Sequence, residues 1–202
     1  MTATPSSIDL PTTGEVAVIG LGRSGVAAVT LLRQYQRSVY ASDATASETT
    51  RMNAAALEAL GATLEIGGHD IGRITTASLV VVSPGVPPNA AALVAARAAN
   101  VEIISEVELA LRCMPSMAYI AITGTNGKTT TTALASRLLK SLGHLAVGAG
   151  NIGTPLTEVA LRKPVPEWIA LEISSFQLHD TPSLHPKVGV LTNLAPDHLD
   201  RY

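Results

Sequence analysis

Three observations predict an α/β fold built on parallel sheets. Short apolar runs rich in β-branched residues alternate along the chain with longer stretches of helical spacing. Several of these runs stop at turns containing glycine or proline, as in EVAVIG (Glu15–Gly20) and LVVVSPG (Leu79–Gly85). The runs are continuously apolar rather than alternating, which is the pattern of a strand covered on both faces. With 202 residues, 47% of them apolar and 15% charged, the chain has material for one or two domains with a sizeable core.

The elements follow in order. Glu15–Gly20 reads as the first buried strand. Ser24–Gln36 has helical spacing and a serine at its start, where a hydroxyl can cap free amides. SVYASD (Ser38–Asp43) is the second strand, and a polar, alanine-rich helix is expected over Glu48–Leu60. Leu79–Gly85 is the next strand, followed by a helix over Asn89–Asn100 capped by Asn89, and then the strand VEIIS. RCMPSM (Arg112–Met117) breaks this succession, and a boundary is expected near Pro115, dividing the chain into 1–115 and 116–202. The second unit begins with a strand at Tyr119 and continues with a helix through Leu142. Further strands are expected at His144–Gly148, Glu167–Ser174 and Lys187–Asn193. A strand like the last normally leads into another helix, so the second unit reads as truncated at Tyr202.

Composition excludes several classes of function. The net charge of −2 and the absence of like-charge runs argue against nucleic acid as the main partner, because neutralising phosphates needs a basic face. No apolar stretch reaches the length needed to span a bilayer, and MTATPSSIDLPTTG lacks the basic-then-apolar pattern of a secretory signal. A cytoplasmic protein without a membrane partner is expected. The single cysteine, Cys113, fits a reducing compartment and, following ELALR, reads as a small buried residue rather than a reactive thiol.

Two glycine loops carry the chemistry. GLGRSG (Gly20–Gly25) follows a strand, opens a helix and has an acidic residue, Asp43, eighteen residues beyond its last glycine. That is the context of a dinucleotide fingerprint, in which helix amides face phosphates. It suits a nicotinamide or flavin dinucleotide, another nucleotide diphosphate, or close helix–strand packing with no ligand. GTNGKTTTT (Gly124–Thr132) follows the strand YIAIT and resembles a phosphate-binding loop, except that Ile122 stands where the usual signature has its first glycine. Gly124 and Gly127 let the backbone turn amides inward around Thr125 and Asn126, Lys128 brings a point charge to the terminal phosphates, Thr129 offers a hydroxyl to Mg²⁺, and Thr130 adds a further donor. A triphosphate site is expected here.

Other polar residues gather at strand ends, where open α/β sheets place ligands. Glu172 ends an apolar strand, a costly place for a carboxylate without a cation, and a position that commonly helps hold Mg²⁺. NLAPDHLDRY brings Asp197, His198, Asp200 and Arg201 together, with His198 as a candidate metal ligand. GNIGTP offers Asn151 as a substrate contact, and SPGVPP ends a first-unit strand with amides that can meet the GLGRSG ligand. His69, His144, His179 and His185 read as surface or loop residues, and Phe176 as core.

Taken together, GTNGKTT, GLGRSG, SPGVP, GNIG, LEISSFQL and DHLDRY in this order resemble the Mur ligase family, and most closely its D-glutamate-adding member. The resemblance implies a Rossmann-like N-terminal domain that binds the UDP end of a UDP-muramoyl substrate rather than NAD, followed by an incomplete P-loop ATPase domain. Gly22, Arg23, Ser24 and Asp43, with Ser83, Pro84 and Gly85, occupy positions implied to contact the UDP substrate, as does Asn151. Lys128 and Thr129 sit where the family holds ATP and Mg²⁺, and Glu172 and His198 match residues associated with a second metal ion. Catalytic roles are thereby implied for Lys128, Glu172 and His198. The implied activity is an ATP-dependent, amide-forming ligation of D-glutamate to UDP-N-acetylmuramoyl-L-alanine through an acyl phosphate, in cytoplasmic peptidoglycan precursor synthesis, by a monomer using two Mg²⁺ ions. The chain ends before the family's carbamylated lysine and C-terminal domain, so these 202 residues are expected to bind the UDP substrate without turning it over. Another Mur ligase, a folylpolyglutamate synthase-like ligase and an NAD-dependent oxidoreductase are the competing readings.

Overall fold

The computed structural model describes residues 9–197, so the expectations for the first eight residues and for His198, Asp200 and Arg201 lie outside the described residues. Strands β1 (Glu15–Ile19), β2 (Ser38–Asp43), β3 (Thr63–Ile66), β4 (Leu79–Val82) and β5 (Ile103–Ser105) form one parallel sheet in the order β3-β2-β1-β4-β5. Between them run α1 (Arg23–Gln34), α2 (Glu48–Glu58), α3 (Ile71–Thr75) and α4 (Ala91–Ala98). A second parallel sheet follows α5 (Glu106–Cys113). It contains β6 (Ala118–Thr123), β7 (Ala146–Gly150), β8 (Trp168–Glu172) and β9 (Val188–Leu191) in the order β7-β8-β6-β9. Its helices are α6 (Lys128–Ser141), α7 (Leu156–Ala160) and α8 (Ser175–His179).

Burial explains the continuous apolar runs. In β1, Val16 and Val18 enter one core with residues of α1, while Ala17 and Ile19 enter another with Leu93 and Ala96 of α4. Successive strand side chains point to opposite faces, so a sheet covered on both sides needs every position apolar. The first sheet reverses its winding between β1 and β4. The crevice beyond their carboxyl ends, where GLGRSG and SPG lie, is the expected ligand position of such a sheet.

The α/β class and parallel sheets agree with the sequence, and the structure adds β3, α3, α7 and α8. All four are only four or five residues long, too short to display a period. Two helix starts are corrected. Ser24 lies inside α1, whose cap is Gly22 with no side-chain hydrogen bond, and α4 begins at Ala91 after Ala90 rather than at a capping Asn89.

The division at Pro115 falls in the loop between α5 and β6, and the helix before it packs into both cores. Leu109 and Cys113 of α5 belong to the first core, whereas Val107, Ala110, Leu111 and Met114 join the core of the second sheet. The same helix sends two buried carboxylates across. Glu106 Oε1 accepts from the Thr157 amide and hydroxyl, and Glu108 Oε2 accepts from the Ser183 amide and hydroxyl. Burial pushes the Glu106 carboxyl above the usual range, against the opposing pull of its Thr157 hydrogen bonds. Helix α5 is therefore a shared seam, not a linker. Cys113 is buried in it, and desolvation pushes its thiol up to about 12. We expect it to resist a thiol reagent in mildly alkaline buffer and to react fully once urea unfolds the chain; a fast native reaction followed by absorbance would contradict its burial. Among the described residues no helix is long and apolar enough to cross a membrane.

Candidate functional site

The helix caps separate scaffold from site. Helices α2, α3, α5 and α8 begin at Ser47, Asp70, Ser105 and Ser174, each accepting a backbone amide from the first turn. The start of α7 is met by Glu106 instead. Helices α1 and α6 begin at Gly22 and Gly127 with no side-chain cap, and like α4 they leave first-turn donors without a capping side chain. Both glycine loops thus present the positive end of a helix dipole beside a cavity.

In the first loop each glycine has its own reason. Gly20 has φ +92°, and a Cβ on Gly25 would lie 1.8 Å from the Gly20 carbonyl oxygen, so that position is fixed by the close approach of α1 to β1. A Cβ on Gly22 would meet nothing within 4 Å. Asp43, at the end of β2, accepts the Leu21 amide at 2.8 Å on one oxygen and the Thr45 amide at 2.7 Å on the other, so it holds the loop's shape. The Ser83 hydroxyl donates to the Gly20 carbonyl and is likewise a scaffold contact. Around this frame lies a cavity of about 440 Å³ whose wall includes Gly22, Ser24, Asp43, Pro84, Gly85 and Asn151. His69, read from the sequence as a surface or loop residue, lines it too, with Nδ1 2.8 Å from the Ser42 hydroxyl. Its signal was its place just beyond the carboxyl end of β3, a strand the sequence did not reveal.

Arg23 also lines this cavity, but its guanidinium turns toward the second sheet. It donates to both carboxylate oxygens of Glu158 and to the Gly153 carbonyl.

The second loop follows β6, in which Ile122 is a fully buried strand residue. The turn begins only at Gly124, so no glycine is needed two residues earlier. Gly124 has φ +129°, and a Cβ there would fall 2.2 Å from the Thr192 hydroxyl and 2.8 Å from the Asn193 carbonyl oxygen. Those two residues, just after β9, strap the loop down. Asn193 accepts the Thr125 amide on its carbonyl and the Asn126 amide on its side-chain oxygen, and Thr192 donates to the Asn126 carbonyl. This departs from the expected nest: the Thr125 and Asn126 amides are taken up by Asn193, just after β9, while the first-turn amides of α6 have no capping side chain. Thr192 and Asn193 were read from the sequence only as strand. Their role depends on β9 lying beside β6, which spacing along the chain does not reveal.

Lys128 Nζ folds back onto its own loop, donating to the Gly124 carbonyl at 2.7 Å and the Thr125 carbonyl at 2.9 Å. It lines a cavity of about 480 Å³ with Gly124, Thr125, Asn151, Ser174 and Asp197. Thr129 and Thr130 stand exposed at the start of α6. Glu172, the last residue of β8, pairs in register with Ile122 and is almost fully buried. Its carboxylate accepts from the side-chain Nδ2 of Asn151 at 3.3 Å, and among the described residues no cation is ion-paired to it. Asn151 lines both cavities, as does Pro84, so the two meet at these residues. The turn that carries Asn151 is fixed by Gly150, at φ +116°, where a Cβ would lie 2.0 Å from the Glu172 carbonyl oxygen.

The residues fit a hard cation. Among the described residues no group of three or more His, Cys, Asp or Glu side chains is placed to hold a metal. Mg²⁺ needs no such cage, because it keeps several waters and takes one or two carboxylates together with phosphate oxygens. A buried carboxylate facing only a neutral amide is the donor that such an ion would satisfy.

Comparison with known proteins agrees with this architecture. Residues 14–105 match the description "Mur ligase MurD-like, N-terminal domain", and residues 122–202 match "Mur ligase middle domain". The UDP-N-acetylmuramoylalanine--D-glutamate ligase of Thermosynechococcus vestitus is 40% identical over 193 residues, 93% of this chain and 42% of that protein. The enzyme of the same name from Frankia casuarinae is 44% identical over 185 residues, 92% of this chain and 39% of that protein. The chain thus spans about two fifths of the length of these relatives. Among solved structures, UDP-N-acetylmuramate:L-alanyl-gamma-D-glutamyl-meso-diaminopimelate ligase from Neisseria meningitides matches with TM-score 0.56 and 18% identity, covering 95% of this chain and 64% of that one. UDP-N-acetylmuramate-alanine ligase MurC from Thermotoga maritima matches with TM-score 0.53 and 24% identity, covering 94% and 44%. At these identities the structural likeness speaks to the fold. With N-terminal and middle descriptions of one family following each other along the sequence, the chain belongs to the Mur ligase family.

Proposed function

We propose that this chain carries the UDP-substrate and ATP sites of a ligase that joins D-glutamate to UDP-N-acetylmuramoyl-L-alanine. Residues 1–115 form the UDP-binding domain and 116–202 the start of the ATP-binding domain. The observation that carries the reading is the meeting of the two cavities at Asn151 and Pro84. A nucleotide diphosphate seated at the start of α1 can extend its far end past Asn151 toward the loop that holds Lys128. The identity to ligases of that name supports the choice of substrate.

The chemistry follows from the charges. A carboxylate is a poor electrophile, so an oxygen of the alanyl carboxylate attacks the γ-phosphorus of ATP, the bond to ADP breaks, and an acyl phosphate forms. The amine of D-glutamate then attacks the acyl carbon, phosphate leaves with the bonding electrons, and the nitrogen loses a proton to give the amide. The first step brings two anions together. Lys128 offsets that repulsion, and the first-turn amides of α6 receive phosphate oxygens. Gly22, Ser24 and Gly85 give the diphosphate room beside α1, while Asp43 and Ser83 keep the loop in shape. Thr129, Glu172 and His198 are the residues that would hold Mg²⁺, two ions in the complete site, and bound Mg²⁺ supplies positive charge to the phosphate oxygens. Asn151 orients the Glu172 carboxylate and meets the substrate between the cavities.

Calorimetric titration of the chain tests this. UDP-N-acetylmuramoyl-L-alanine is expected to bind and Mg-ATP to bind independently, with no heat from NADH. NADH binding with no response to the UDP ligand would instead favour the oxidoreductase reading of GLGRSG.

A further inference from the structure

Arg23 stands at the first position of α1, beside the expected diphosphate, and the simplest assignment makes it a phosphate ligand. Its geometry points elsewhere. Nε and Nη2 donate to the two oxygens of Glu158 at 2.9 and 3.0 Å, and Nη1 donates to the Gly153 carbonyl at 2.8 Å. This is the bidentate fork that fixes direction as well as charge, and it joins the two sheets. A cation at a helix amino terminus is unfavourable against the dipole, whereas Glu158 lies in the first turn of α7, where an acid is favoured. Glu158 therefore offsets the cost of placing Arg23 at the start of α1 and leaves little net charge on that side chain for a phosphate, while the first-turn amides of α1 stay without a side-chain cap.

The Gly153 carbonyl belongs to the turn that carries Asn151. In that turn the Gly150 amide donates to Thr154 at 2.9 Å and the Asn151 amide donates to the Glu172 carbonyl at 2.9 Å. Apolar packing already sets the distance between α7 and the first core, through Ala160 and Leu161. What that packing leaves open is the orientation of the turn, and Arg23 grips the turn itself.

We propose that Arg23 and Glu158 form a clasp that positions Asn151 for a ligand spanning both cavities, and that Arg23 is a positioning residue rather than a diphosphate ligand. The proposal rests on the reading that the UDP end occupies the first cavity and the rest of the substrate passes Asn151.

The test compares wild type, Arg23→Met, Glu158→Gln and the charge-exchanged double variant Arg23→Glu/Glu158→Arg, each titrated with UDP alone and with UDP-N-acetylmuramoyl-L-alanine. Both single variants are expected to bind UDP like wild type and the longer ligand about five-fold more weakly, the effect of losing one well-aligned exposed ion pair. The double variant is expected to regain part of the loss. If Arg23→Met loses UDP itself while Glu158→Gln binds as tightly as wild type or more tightly, Arg23 is a phosphate ligand and the clasp is overturned. Hydrogen exchange gives a readout independent of any ligand. The Gly150 amide is expected to exchange faster in both single variants, and unchanged exchange would overturn the clasp even if the wild-type chain bound neither nucleotide, a result that would by itself refute the substrate reading.

Discussion

Replacing Lys128 with alanine is expected to weaken Mg-ATP binding about 10- to 100-fold, the effect of removing a charged hydrogen-bonding partner from phosphate. UDP, the end of the substrate assigned to the first cavity, should bind the same variant as it binds wild type, because Lys128 lines the second cavity and not the first. The fold has little at stake in the change. Nζ makes its two hydrogen bonds to carbonyls of its own loop, and that loop is strapped separately by Thr192 and Asn193. Lys128→Arg is expected to recover little of the loss. The ammonium sits against two carbonyls at 2.7 and 2.9 Å, a compact arrangement that a planar guanidinium fork does not reproduce. Titration of the two variants with both ligands decides the matter. Mg-ATP affinity in Lys128→Ala equal to wild type would remove Lys128 from the site.

Lys128 also shows what the sequence could and could not reveal. A lysine after a glycine at the start of a helix has a local meaning, set by the strand before and the helix after, so GTNGKTT was legible. The same holds for GLGRSG and for Glu172 at the end of its apolar strand. Thr192 and Asn193 act on Gly124–Gly127 only because β9 pairs with β6, and no pattern within either segment announces that pairing. Arg23 meets Glu158 across 135 residues for the same kind of reason. Asn89 failed as a cap because α4 starts later, after Ala90, and Ser24 failed because the rule that a polar residue at a helix start is a cap assumes a scaffold helix. At α1 the capping position is held by a glycine with open space above it. The short elements β3, α3, α7 and α8 were missed because four or five residues hold about one turn or two side-chain alternations. Their identity comes from the neighbours they pack against.

The largest stability effect is expected from Gly25→Ala, set against Gly22→Ala three residues earlier. At Gly25 the new Cβ would lie 1.8 Å from the Gly20 carbonyl oxygen and 2.9 Å from its carbon, both backbone atoms at the end of β1. No rotamer change relieves such an overlap, so α1 must move away from the sheet. Val29, Leu31 and Leu32 of α1 are almost fully buried in the first core and would lose their fit together. Overpacking of this kind costs about 3 kcal/mol or more when backbone must shift, and in a chain of this size that lowers Tm by about 10 °C. Gly22→Ala meets nothing within 4 Å, and the backbone there, φ −70° and ψ −173°, is open to any residue. Its stability should stay within about 0.5 kcal/mol of wild type, while the methyl group occupies the space that a diphosphate needs beside α1. Thermal melts and UDP titrations of the two variants therefore separate two jobs within one motif. Gly25→Ala is expected to melt early, and Gly22→Ala is expected to melt normally and bind UDP poorly. Equal melting temperatures would show that α1 does not depend on its close approach to β1. Unimpaired UDP binding by Gly22→Ala would place the diphosphate somewhere other than the amino end of that helix.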